Sequence, residues 1–180
     1  MILYIISILT IYLFFGILLF LFQRKILFNT SGFPNQPEYY GLNNIEVLKV
    51  KTYDNISLLA WYSKPKLGKP LLLYFHGNSF DIGERAYRIN KYIKNGWGVM
   101  ILAWRGYSGN LGKPTENNLY IDGKAAIWWL LNIKKIKKEN IILYGESLGT
   151  GVAVELAMGH TFKSVILEAP FTSIYDIALK

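Results

Sequence analysis

A chain of 180 residues with no cysteine, two histidines and a formal charge of +8 has room for one modest domain. It excludes disulfides, thiolate metal sites and a cysteine nucleophile. A hydrophobic share of 52% asks for a membrane segment, and the charge points to no nucleic-acid partner, because the densest basic run (Lys134, Lys135, Lys137 and Lys138) lies in a polar connection that reads as a solvated loop.

Residues 1–22 contain no charged side chain and are dominated by Ile, Leu, Phe and Tyr. As a helix they would span about 33 Å, enough for a bilayer core. No basic stretch precedes the run and no small-x-small cleavage site follows it, so a permanent single-pass anchor is expected rather than a cleaved signal. Arg24 and Lys25 follow at once, which places the rest of the chain on the cytoplasmic side. Residues 23–44 read as a linker, rich in Pro, Gly and Asn and without periodicity, and residues 45–180 as the folded domain.

Within that domain, 45–51 and 56–62 alternate around Asp54-Asn55, the pattern of a β-hairpin. Residues 71–75 form a strand of the kind buried on both faces and end in His76-Gly77-Asn78-Ser79. Residues 81–95 place Ile82, Ala86, Ile89 and Ile93 at helical spacing and close on Gly96. A strand at 99–104 empties into a Gly-rich loop, 105–112. Thr115 caps a helix running to about residue 133, with Tyr120, Lys124, Ile127 and Leu131 among its positions. A strand at 141–144, a helix at 150–158 and a strand at 165–167 complete the alternation. Strands alternating with helices predict an α/β fold, a mostly parallel sheet with helices on both faces and the hairpin at its start.

Between the strand at 141–144 and the next helix stands Gly145-Glu146-Ser147-Leu148-Gly149, a G-x-S-x-G motif in the strand–turn–helix context of a nucleophile elbow. A serine at the tip of so sharp a turn has strained backbone, and side chains two residues to either side would collide with neighbouring elements. The hydroxyl is pushed out above the sheet, at a helix N-terminus that favours developing negative charge.

FHGN at 75–78, WRGYSG at 104–109, KPTENNLYIDGKAA at 113–126, GESLGTG at 145–151 and LEAPFTS at 167–173 resemble the α/β-hydrolase fold family. With QRKILF at 23–28 after the apolar run, the chain is most similar to its BEM46-like, or alpha/beta hydrolase domain-containing 13 and 17-like, serine hydrolases. The resemblance covers nearly the whole chain. It implies hydrolysis of acyl esters or thioesters by a serine nucleophile, Ser147, on an acyl-containing small molecule or lipid. It also implies oxyanion donors from the backbone N–H of Leu148 and from Asn78 or its neighbour Ser79. Neither a metal nor a cofactor is expected. His76 is expected to brace its loop rather than transfer protons. Arg105 and Tyr107 either line the mouth of the site or stabilise the loop, the loop role being favoured, and Asp122 reads as a helix-end charge.

In this fold the triad order is Ser, then Asp or Glu, then His. After Ser147 the sequence holds one histidine, His160, at the far end of the elbow helix and on the wrong side to act as base. Glu168 or Asp176 could stand at an acid position used by some relatives, but with no histidine to orient. The expectation is therefore a sheet without its last strands and a triad without acid and histidine, to be completed by a separate downstream chain or preserved as a fragment. The alternative is a non-catalytic, membrane-tethered binding module. A nucleic-acid function has no motif to support it.

Overall fold

The structure, a computed structural model, describes residues 2–30 and 32–171. The first helix, α1 (Ile2–Leu27), runs past Phe22 to take in Arg24 and Lys25. Its apolar stretch Ile2–Gln23 is long enough to cross a bilayer and none of it is buried against the domain, which distinguishes it from a core helix.

Among the described residues six strands make one sheet: β1 (Glu46–Lys51), β2 (Ser57–Ser63), β3 (Leu71–Phe75), β4 (Gly98–Leu102), β5 (Ile141–Glu146) and β6 (Ser164–Glu168), in the order β1-β2-β4-β3-β5-β6. The hairpin β1–β2 turns at Asn55, whose φ of +66° is one that Asn tolerates better than most residues. β2 meets β4 antiparallel, while β4–β3, β3–β5 and β5–β6 are parallel. The unbroken apolar runs of β3, β4 and β5 are explained by cover on both faces. Leu71, Leu73, Phe75, Met100, Leu102 and Leu143 point into one core, shared with α3 (Glu116–Asn132) and α4 (Leu148–Ala157). Leu72, Tyr74, Val99, Ile101, Ile142 and Tyr144 point into the other, under α2 (Ala86–Lys94). The period of two thus divides each strand between two cores.

Helix starts follow their caps. Thr115 accepts the amide of Asn118 at 3.2 Å, and Asp81 accepts that of Gly83 at 2.7 Å. The segment expected as one helix from residue 81 opens instead with a 3₁₀ turn, Ile82–Arg85, and only then becomes α2. The stretch read as a linker is partly woven into the domain. Pro37–Tyr40 forms a 3₁₀ turn, Pro37 and Leu42 are buried, and the Tyr40 ring packs 5.8 Å from Trp61. Lys134 leaves the solvated run to pair with Glu46 at 2.6 Å and to lie over Tyr62 and Trp129.

Candidate active site

β5 delivers Glu146 and Ser147 to the edge of the sheet where the parallel strands end, and α4 begins at the next residue. Ser147 has φ +47° and ψ −113°, a conformation that L-residues other than glycine rarely adopt. The flanking glycines make the turn sterically feasible. A Cβ on Gly145 would fall 2.6 Å from the Gly149 carbonyl oxygen, and one on Gly149 would fall 2.0 Å from that of Phe75. Hydrogen bonds from the Ser147 amide to the Glu168 carbonyl (2.9 Å) and from the Thr150 hydroxyl to the Ser147 carbonyl (2.6 Å) lock the strained residue in place. The surrounding structure thus holds Ser147, half-buried, in a conformation it would not keep alone.

Below the serine, Glu146 is gripped by Arg85, whose Nε donates at 3.1 Å and Nη2 at 3.0 Å, and by the Tyr74 hydroxyl at 2.8 Å. Burial acts to raise the Glu146 carboxyl, but the Arg85 bonds prevail and hold it below its usual value. Arg85 also donates to the Ser79 carbonyl at 2.6 Å. One guanidinium therefore fixes both the elbow and the loop after β3. In that loop Tyr107 donates to the Asn78 carbonyl at 3.0 Å, and the Asn78 side chain donates to the Leu27 carbonyl at 3.0 Å. Gly77 brings the loop alongside the elbow, since a Cβ there would lie 3.5 Å from that of Ser147. Leu148 is the first residue of α4, where backbone amides lack intrahelical acceptors.

The chain is 32% identical over 166 residues to the protein Bem46 of Schizosaccharomyces pombe, covering 86% of this chain and 56% of that one. It is 39% identical over 112 residues to human alpha/beta hydrolase domain-containing protein 17B, covering 61% of this chain and 38% of that one. A crystal structure of an alpha-beta hydrolase from Vibrio vulnificus superposes with a TM-score of 0.61 at 29% identity, over 68% of this chain and 44% of that one. These matches support placing the chain with the BEM46-like branch of the α/β-hydrolase family. No family model matches it. It spans about half the length of the curated relatives it matches.

Neither histidine of this BEM46-like chain reaches Ser147 as a base. His76 is fully buried; its Nδ1 donates to the Gly77 carbonyl at 2.7 Å and its Nε2 accepts from the Trp104 amide at 3.2 Å. Both ring nitrogens are thus committed to bracing the loop, as expected. His160 lies beyond the far end of the ten-residue α4, about 15 Å along the helix axis, beside Lys138. Glu168 is held by Arg88 and the Tyr144 hydroxyl, and Asp176 lies outside the described residues.

Asp122 is not a helix-end charge. It is wholly buried, taking Arg105 Nε at 2.9 Å, Nη2 at 2.6 Å and the Arg105 amide at 3.0 Å. Arg105 reaches on to Asp54 in the hairpin turn at 2.7 Å. Arg105 and Tyr107 are both buried and take the loop role. Among the described residues no cluster of three or more His, Asp or Glu side chains is placed to hold a metal ion. Two concavities of about 500 and 490 Å³ around Lys124 and Trp128 open over α3 and do not include Ser147.

The buried His76 makes stability pH-dependent. Burial lowers its pKa from 6.5 to about 3, so the unfolded chain takes up a proton that the folded chain refuses. The contribution is complete above the unfolded value and is lost as pH falls from about 6.5 toward 3. The expected loss is roughly 2 kcal/mol between pH 6.5 and 5, at ~1.4 kcal/mol per unit. Denaturant midpoints of the detergent-solubilised chain at those two pH values check it, and equal midpoints would contradict it.

Proposed function

We propose that this chain carries the nucleophilic half of a membrane-anchored serine hydrolase acting on acyl esters or thioesters. Ser147 is the nucleophile, and the backbone amides of Leu148 and of Asn78 or Ser79 receive the oxyanion. The single observation that supports this most is the left-handed Ser147 between β5 and α4, clamped from below through Glu146 and Arg85. In attack, the hydroxyl oxygen bonds to the acyl carbon while its proton passes to a base. The base returns that proton to the departing alcohol or thiol as the tetrahedral species collapses to an acyl-serine. Water, deprotonated by the same base, then releases the acid and restores the hydroxyl. The base and its orienting acid come from beyond these residues, further along the same polypeptide or on a second one. The apolar helix α1 inserts in the bilayer as a single span, with the domain on the cytoplasmic side of Arg24 and Lys25.

Turnover of an acyl p-nitrophenyl ester tests this reading. The 180 residues alone are expected to give negligible rates, because a serine hydroxyl without a base is a poor nucleophile. Extending the chain with a downstream α/β-hydrolase segment that bears the acid and histidine should bring turnover. A folded, extended chain without turnover would favour the alternative, a tethered module that binds an acyl chain without cleaving it.

A further inference from the structure

We propose that the edge of the sheet carrying Ser147 rests on the bilayer surface, with Phe33, Phe80 and Leu111 entering the headgroup–acyl boundary. The proposal builds on the reading of α1 as a membrane span. What it adds is the orientation of the domain and the surface that meets lipid.

The segment leaving α1 is stitched to the loops around the candidate site. The Leu27 carbonyl accepts from the Asn78 side chain, Asn29 forms a β-bridge with Ser79, and Phe28 packs on the core. Thr30 lies beside Gly106, its Cγ2 3.5 Å from where a Cβ would stand, and Phe33 covers Gly109 so closely that a Cβ there would fall 1.8 Å from its ring. Among the described residues, the contacts of Leu27, Phe28 and Asn29 join the helix to the domain with no free tether between them. From Gln23, where the apolar span ends, to Leu27 is only about 6 Å of helix, comparable with one interfacial zone of a bilayer at roughly 5–8 Å. The loop at 78–80 therefore sits at the level of the lipid headgroups.

The side chains displayed there are of the type such a level accepts. Phe33 is 80% exposed, Phe80 56% and Leu111 79%. Single exposed apolar residues are ordinary on any surface. These three stand on adjoining segments, the loops of Phe80 and Leu111 being joined by the Ile82 amide donating to the Ser108 hydroxyl at 3.3 Å. Phe80 also has φ +63°, an uncommon conformation for a bulky residue, held where its ring meets solvent. Aromatic and aliphatic side chains of interfacial proteins enter the boundary by about 5–10 Å. Leu67, fully exposed in the turn before β3, is at the opposite edge and serves as the contrast.

The absence of cysteine makes the test direct. Single substitutions Phe80→Cys, Leu111→Cys, Leu67→Cys and Tyr12→Cys in the full chain, each labelled with an environment-sensitive fluorophore, are reconstituted in phosphatidylcholine vesicles containing nitroxide lipids. Labels at 80 and 111 are expected to shift to the blue and lose fluorescence to a nitroxide near the headgroup. The label at 12 should lose it to one deep in the acyl chain, and the label at 67 to neither. Quenching at 12 with positions 80 and 111 behaving like 67 would overturn the lipid-facing rim and leave the anchor standing. No quenching at any of the four would overturn the anchor, and the rim with it.

Discussion

Replacing Ser147 by alanine, in a chain completed by the acid and histidine, is expected to lower ester turnover by about 10⁶-fold, or roughly 8 kcal/mol of barrier at ~1.36 kcal/mol per decade. The loss is so large because the hydroxyl, its base and the acid act as a unit, so removing one member forfeits the work of all. A residual acceleration of roughly 10³–10⁴ over water should survive, since the proposed backbone donors, Leu148 and Asn78 or Ser79, do not depend on the serine side chain. Steady-state kcat for the serine and alanine forms decides the matter. A drop of less than tenfold would mean that another residue attacks the acyl carbon.

The second large effect is structural. Arg105→Ala is expected to destabilise the fold by about 3–5 kcal/mol, because it leaves the wholly buried Asp122 carboxyl without its partner, unpaired if charged and carrying the cost of taking up a proton if neutral. Three elements lose their common tie: the hairpin turn through Asp54, the loop after β4, and α3 through Asp122. Burial already pushes the Asp122 carboxyl up against the opposing pull of Arg105, so without the guanidinium it should become protonated. The pair Arg105→Met with Asp122→Leu removes both charges and should recover most of the loss, since an apolar pair of similar volume often equals a buried ion pair. At roughly 2–4 °C per kcal/mol, Arg105→Ala should lower Tm by about 10 °C. A shift of a degree or two, or a double variant no better than the single one, would show that Arg105 does not hold the hairpin and α3 together.

Much of this architecture was legible in the sequence because its signals are local. Apolar runs at 71–75 and 141–144 gave β3 and β5 directly, Thr115 marked the start of α3, and G-x-S-x-G between a strand and a small-residue helix marked the elbow. The polar scaffold was less legible, because its partners are remote. Arg85 and Glu146 are 61 residues apart, and Tyr74 and Glu146 are 72 apart, with no local pattern joining them. Asp122 did carry a signal. It shares the stripe of Leu119, Ala126 and Leu130, so helical periodicity alone marks it as a buried charge that needs a partner. The stretch at 29–42 misled for a related reason: Pro and Gly punctuate it, yet Pro37, Tyr40 and Leu42 pack through contacts that composition does not reveal.

Covalent labelling by a fluorophosphonate, read as the mass of the modified peptide, tests most directly whether Ser147 is the nucleophile. In the chain completed by acid and histidine, rapid labelling is expected on the peptide containing Ser147 and should disappear in Ser147→Ala. The 180 residues alone should label slowly, because neither His76 nor His160 reaches the hydroxyl. An adduct on a different serine, or no adduct on a folded, completed chain, would contradict the assignment of Ser147. Rapid Ser147 labelling of the 180 residues alone would show instead that a base within them had been overlooked.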